Sequence, residues 1–215
     1  MGDAAASDEG RRYGGASAAE RRAERRERLI RAAIVLYGEQ GYRNTTVAMV
    51  CRAAGLTTRY FYEAFENSEA LFAETFREVS GFVAQHVEAA AAVTGPPDVR
   101  LAALLTAYYD LLRQDPAGAR VFLSEVSGID GRVDQLFAGS MEAFGSLIAR
   151  TLDPAHDDGQ IEPLTMVGSM HGLLAIARAW VADGCATSVD DVVRIAIPLC
   201  LLLQDGKPTF SAPLA

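Results

Sequence analysis

Cysteine is scarce in this 215-residue chain: Cys51, Cys185 and Cys200 stand far apart, with no Cys-x-x-Cys pair. Each lies within or beside an apolar helical pattern, which suits small buried side chains and excludes a disulfide framework or a zinc knot as the organising device. Uninterrupted apolar runs of the roughly 18 to 20 residues that cross a bilayer are missing; the nearest, Ile195 to Leu203, is too short. The opening Met1-Gly2-Asp3-Ala4 lacks the basic-then-apolar order of an export signal, so a cytoplasmic chain with no membrane partner is expected. There is no His-Glu-x-x-His, no Gly-x-Ser-x-Gly, no glycine loop that would cradle a phosphate and no Cys/His metal spacing. The expectation is therefore no catalysis, no metal and no cofactor. Strand-like alternation and internal repeats are also lacking.

What is present is an uneven charge. The whole chain carries −8, but residues 1 to 62 hold eleven Arg against seven acidic residues, and residues 63 to 215 hold nine basic against twenty-one acidic. Attraction to phosphate is local, screened beyond roughly 10 Å at modest salt, so a basic end can bind nucleic acid while an acidic body faces away.

The apolar spacing is helical throughout. Residues 1–18, rich in Gly, Ala, Ser and charge, read as a disordered arm containing Arg11 and Arg12. A first helix is expected from about Ala19 to Glu39, carrying Arg21, Arg22, Arg25, Arg26, Arg28 and Arg31 outside an apolar stripe. Thr45 can cap a second helix through Val47, Val50, Cys51 and Ala54, which Gly55 ends. Thr57 can cap a third, with Phe61 and Phe65 turned to the core. Two short helices joined by so tight a glycine-containing turn form a helix-turn-helix, whose second member enters the major groove of DNA. Further helices are expected from Asn67 to about Val93, from Asp98, from Asp115-Pro116, over Gly131 to Leu152, over Glu162 to Ala182 and over Val189 to Leu203, the last bent at Pro198. About nine helices result, in an all-α fold with a three-helix DNA-binding head (19–66), a larger antiparallel bundle (67–205) and a flexible tail (206–215).

In the head, Thr57, Thr58, Arg59 and Tyr60 occupy the first turn of the reading helix. Arg59 has the planar fork that pairs with guanine O6 and N7, and its other reading is a phosphate contact or a surface ion pair. Thr58 or Tyr60 can touch a thymine methyl. Thr45, Thr46, Tyr62 and Ser68 are candidate phosphate anchors, Tyr62 being equally suited to packing against the first helix. One short helix buries too little surface for firm specific binding, so a twofold homodimer reading an inverted repeat in double-stranded DNA is expected.

The run Leu29 to Phe76 resembles the TetR family of bacterial regulators. An aromatic ending the first helix (Tyr37), Gly41-Tyr42, Thr45-Thr46, Ala53-Ala54-Gly55, Tyr62 and Phe65, and Glu69-Ala70-Leu71 stand in the family's order. Departures are Ser68 where members often carry Lys, Ala64 in place of a second aromatic, and Arg59 and Tyr60 where small residues are common. The resemblance implies a carboxy-terminal domain that dimerises and binds a small molecule.

Candidates for lining a pocket there are Phe82, His86, Tyr108, Tyr109, Phe122, Glu125, Phe137, Met141, Phe144, Met170 and His171. A pocket so lined suits a hydrophobic or amphipathic effector; taken singly, each aromatic or Met residue reads first as ordinary core. The last two helices are apolar on more than one side, which places a partner subunit against Gly168, Gly172, Ala175, Trp180, Val193, Ile197 and Cys200. A repressor released by its effector is the leading expectation. A regulator without a physiological ligand, and an activator, stay open.

Overall fold

The computed structural model describes residues 17–123, 131–155 and 161–204. The expected arm up to residue 16, the tail from 206 and Glu125 lie outside the described residues. All described regular structure is helical. Helix α1 (Ala18–Gln40) opens on a capping box: Ser17 accepts from the Glu20 N–H and the Glu20 carboxylate accepts from the Ser17 N–H. These bonds hold the Glu20 carboxyl below its usual pKa range. Gly41 ends α1 at φ 82°, a left-handed conformation that a side chain would resist, and a short 3-10 turn, Tyr42–Asn44, follows.

Helix α2 (Val47–Ala54) and α3 (Thr58–Ala64) complete the head. The cap of α2 is Thr46, one residue later than expected, its hydroxyl oxygen accepting from the Met49 N–H at 3.3 Å. Thr45 has turned inward instead, its hydroxyl donating to the Gly41 carbonyl at 2.9 Å. Between the two helices Gly55 adopts φ 64°, and the Arg28 guanidinium donates to the carbonyls of Ala54 at 2.6 Å and Gly55 at 3.4 Å. A cation thus satisfies carbonyls that the end of α2 leaves unpaired. Leu29, Ala33, Val50, Cys51, Phe61 and Phe65 close the small core beneath.

The body begins with α4 (Ser68–Ala91), capped by Asn67 as the sequence suggests, its amide oxygen accepting from the Ala70 N–H at 2.8 Å. Next come α5 (Pro97–Gln114), α6 (Pro116–Leu123), α7 (Gly131–Leu152), α8 (Pro163–Ala182) and α9 (Val189–Leu201). Helix α5 is central, packing against α4, α6, α7 and α9; α8 pairs with α9. Asp115 caps α6, accepting from the Gly118 N–H at 3.0 Å. The head is fastened to the body twice: α1 packs against α4 and, more extensively, against α6.

Helix α8 is the one described helix long and apolar enough to cross a membrane by length and composition. Its residues divide between two faces: Met170, Leu173, Leu174, Ala177 and Trp180 are buried, whereas Leu164, Val167, Gly168, His171 and Ala175 are exposed.

Candidate nucleic-acid interface

Helix α3 presents its first turn outward. Thr57, Thr58, Arg59 and Tyr60 are all exposed while Phe61, next in line, has no exposed surface. Burying Phe61 and Phe65 fixes the rotation of the helix about its axis, and that rotation decides which side chains can reach base edges. The Arg59 side chain is 85% exposed, and its Nε donates to Glu63 Oε1 at 3.1 Å, one helical turn on. So weak a surface pair, worth about 0.3 to 0.5 kcal/mol, gives way easily to a base or phosphate.

One of the arginines expected on the first helix, Arg25, and one residue that the sequence did not single out, Glu63, shape this surface. Arg25, on α1, lies 4.5 Å over the Tyr60 ring and 4.0 Å from Glu63. It thereby holds Tyr60 in place and ties the reading helix to α1. Glu63 brings a carboxylate to the same face and is shared by Arg25 and Arg59. The excess of arginine on the first helix was visible in the sequence; which arginine meets the reading helix depends on the crossing of α1 with α3.

Among the expected phosphate anchors, Thr46 is exposed, and its cap bond uses only the oxygen, leaving the hydroxyl hydrogen to donate. Tyr62 is exposed, its ring edge-on to Phe61 at 5.2 Å. Ser68 starts α4 half-buried, 3.4 Å from the Tyr42 hydroxyl and donating to Glu69 at 3.1 Å. The structure brings Tyr42 and Ser68 together at the mouth of α4, although 26 residues separate them. Thr45 departs from expectation: it is buried and its hydroxyl is committed to Gly41, which removes it from the phosphate-facing surface.

In the body the pocket candidates scatter. Tyr108, Tyr109 and Phe122 are buried, Tyr109 standing edge-on to Trp180 at 5.3 Å with no hydrogen-bond partner for its hydroxyl among the described residues. Burial raises the pKa of both tyrosines. Phe122 and Phe144 reach an open cleft of about 480 Å³ between α4 and α7. Phe137, Met141, Met170 and His171 line a second cavity of about 490 Å³ between α7 and α8. Phe82 and His86 depart from expectation: they are exposed on α4, their rings tilted against each other with centroids 4.1 Å apart, and line neither space. Among the described residues, no group of three or more His, Cys, Asp or Glu could hold a metal ion.

Of the expected interface residues, Gly168 and Ala175 are exposed, and Gly172 and Ile197 partly so. Trp180, Val193 and Cys200 are buried within the chain's own core, and the Trp180 indole donates to the Thr187 carbonyl at 2.8 Å. A helix apolar on two sides assigns its largest residues to the inner one, and the sequence alone does not say which side that is.

Head and body define an all-α helix-turn-helix protein with a small reading domain on a larger helical support. Residues 29–75 match the model of a family described as "Bacterial regulatory proteins, tetR family". The match covers the head alone and makes residues 29–75 similar to that family's amino-terminal domain. No curated protein matches the chain in sequence. Solved structures share the fold at low identity. The transcriptional regulator FadR from Bacillus subtilis, in complex with stearoyl-CoA, superposes with a TM-score of 0.65 at 20% identity, over 85% of this chain and 99% of that one. FadR from Bacillus halodurans, a fatty acid degradation regulator, gives 0.65 at 19%, over 83% and 94%. A tetR-family transcriptional regulator from Streptomyces coelicolor gives 0.68 at 19%, over 84% and 80%.

Proposed function

We propose that the chain is a cytoplasmic, homodimeric repressor that reads an inverted-repeat operator with α3 and leaves it when a hydrophobic or amphipathic small molecule binds the body. The observation that carries the reading is the first turn of α3, where Thr57 to Tyr60 project while Phe61 anchors. Arg59 reads a base there, and Thr46, Tyr62 and Ser68 position the head on phosphates.

The outward faces of α8 and α9 support the dimer. Leu164, Val167, Ile195 and Leu201 are exposed on them, and small residues at 168 and 175 allow close approach, whereas Gly172 is packed on this chain's own Leu199. A second copy covers this surface, and the twofold axis presents the two reading helices together. Two clefts in the body, and the stearoyl-CoA held by a structure of the same fold, favour an effector-gated body over one that only dimerises. Whether bound protein blocks or recruits transcription follows from where its operator lies.

Coupling runs through α1. Its carboxy-terminal turn rests on α6, with the Arg120 guanidinium donating to the Gly38 carbonyl at 3.3 Å. An effector that prefers one placement of α6 and α4 shifts the spacing of the heads, and by linkage DNA disfavours the effector by the same factor. Fluorescence anisotropy of labelled operator with wild type and Arg59→Ala tests the base-reading role. A loss of roughly 1 to 3 kcal/mol confined to one base position is expected; equal loss on every sequence makes Arg59 a phosphate contact.

A further inference from the structure

We propose that the cavity between α7 and α8 binds a lipophilic cation with a polarisable, aromatic body. Its role as the effector site rests on the effector-gated reading above. Methionine carries the first part of the case. The chain has five; apart from Met1 and Met49, all of them, Met141, Met166 and Met170, line this one cavity. A Cβ on Gly145 would overlap the Met166 sulfur and stand 3.3 Å from that of Met170, so the glycine leaves the thioethers their room. Thioethers are flexible and polarisable and make favourable contacts with aromatic rings, so such a wall adapts to a ligand instead of dictating one shape. Phe137 adds a ring to the lining, and about 490 Å³ lies within the range of small-molecule sites.

Charge carries the second part. Among the described residues the polar side chains on the cavity are Glu142, Ser146 and His171, and none of its lining is Lys or Arg. Glu142 is exposed, and no ion pair among the described residues engages it. The His171 Nδ1 lies 2.9 Å from the Val167 carbonyl, which can only accept, so this nitrogen carries the hydrogen and Nε2 of the neutral ring is an acceptor. A carboxylate and an acceptor at the rim of an apolar space favour positive charge, and an aromatic wall favours it further. An anionic head would meet Glu142 with no counter-charge. The α4–α7 cleft differs in having cations, Arg77 and Arg150, beside the Glu88 carboxylate among its lining, with Arg77 paired to Glu74.

Tetraphenylphosphonium and tetraphenylborate, nearly equal in size and opposite in charge, separate these cases by calorimetric titration of the full chain without DNA. The phosphonium is expected to bind one per chain and the borate at least about tenfold more weakly. Glu142→Gln, an exposed change that the fold tolerates, should weaken the phosphonium by roughly fivefold. Ala138→Trp, which fills this cavity from an exposed position, should abolish binding; Ala143→Trp, in the other cleft, should not. Borate binding as tightly as phosphonium, binding lost only in Ala143→Trp, or no binding of either ion overturns the assignment. Adding the phosphonium to the operator complex then reads the consequence. Release supports the effector role; binding in the cavity without release overturns that role while leaving the site. Specific DNA binding by a chain that takes up neither ion would leave the regulator reading standing and this inference overturned.

Discussion

Gly38 of α1 and Ala117 of α6 are in backbone contact: a methyl group on Gly38 would lie 2.6 Å from the Ala117 Cα and 2.7 Å from its carbonyl oxygen. At this point the head and body are too close for any side chain between them. Backbone cannot step aside as a flexible side chain can, so the contact fixes the distance between α1 and α6.

Gly38→Ala should therefore force the two helices apart and lower stability by about 1 to 3 kcal/mol. Gly81→Ala, on α4 where an added Cβ meets nothing within 4 Å, should raise stability by about 0.5 to 1 kcal/mol through helix propensity. Thermal unfolding of both variants beside the wild type checks the pair. Equal stabilisation by the two would mean that α1 and α6 are not in such contact.

Glu63 places a carboxylate on the side of α3 proposed to meet DNA, where it occupies Arg59 and neighbours Arg25. Glu63→Gln should tighten binding to all DNA sequences by a few fold, with a steeper dependence on salt as the freed arginines meet phosphate. Anisotropy titrations at several salt concentrations measure both. Weaker binding would show that the pair with Glu63 poises Arg59 for its contact.

Val167→Asp introduces charge on a surface that is half exposed in the single chain, so folding should survive and the dimer should not. Trp180→Asp buries a charge inside the chain and removes the bond to Thr187, and should unfold it. Sedimentation across dilution with circular dichroism distinguishes them: a folded monomer for the first, lost helix for the second. A dimer unchanged in Val167→Asp would move the interface elsewhere.

Thiol reactivity follows burial. Cys200 has no exposed surface, and desolvation pushes its pKa to about 12; Cys51 is also buried and its pKa raised. Thiolate, the reactive form, is therefore scarce in both at neutral pH. Burial raises the Cys185 pKa as well, but this residue is partly exposed, in the turn between α8 and α9, and access sets it apart from the other two. Native protein should show one fast thiol towards 5,5′-dithiobis(2-nitrobenzoic acid), lost in Cys185→Ser, and three on denaturation.

Helix positions were legible in the sequence because their ends are written in local chemistry: Asn67 before α4, Asp115-Pro116 before α6, and Gly55 between α2 and α3 each act within a few residues. The capping of α2 shifted from Thr45 to Thr46 because Thr45 found a carbonyl, at Gly41, that local spacing does not reveal. Facing was legible in the head, where Phe61 and Phe65 leave only one side for Arg59 and Tyr60. It was not legible in α8 and α9, whose two apolar faces look alike until a partner for one of them, here α5 for α9, is known. Phe82 illustrates the same limit, since an aromatic on an amphipathic helix reads as core until its angle about the axis is seen.

The most direct test of a dimer reading DNA through α3 is selection of bound fragments from a random-sequence duplex library by the purified chain, followed by sequencing. The predicted result is an enriched inverted repeat with half-sites a whole number of helical turns apart, whose consensus loses one base position when Arg59→Ala replaces the wild type. Enrichment of nothing above the input, or of a single unrepeated motif bound equally well by the variant, would contradict it.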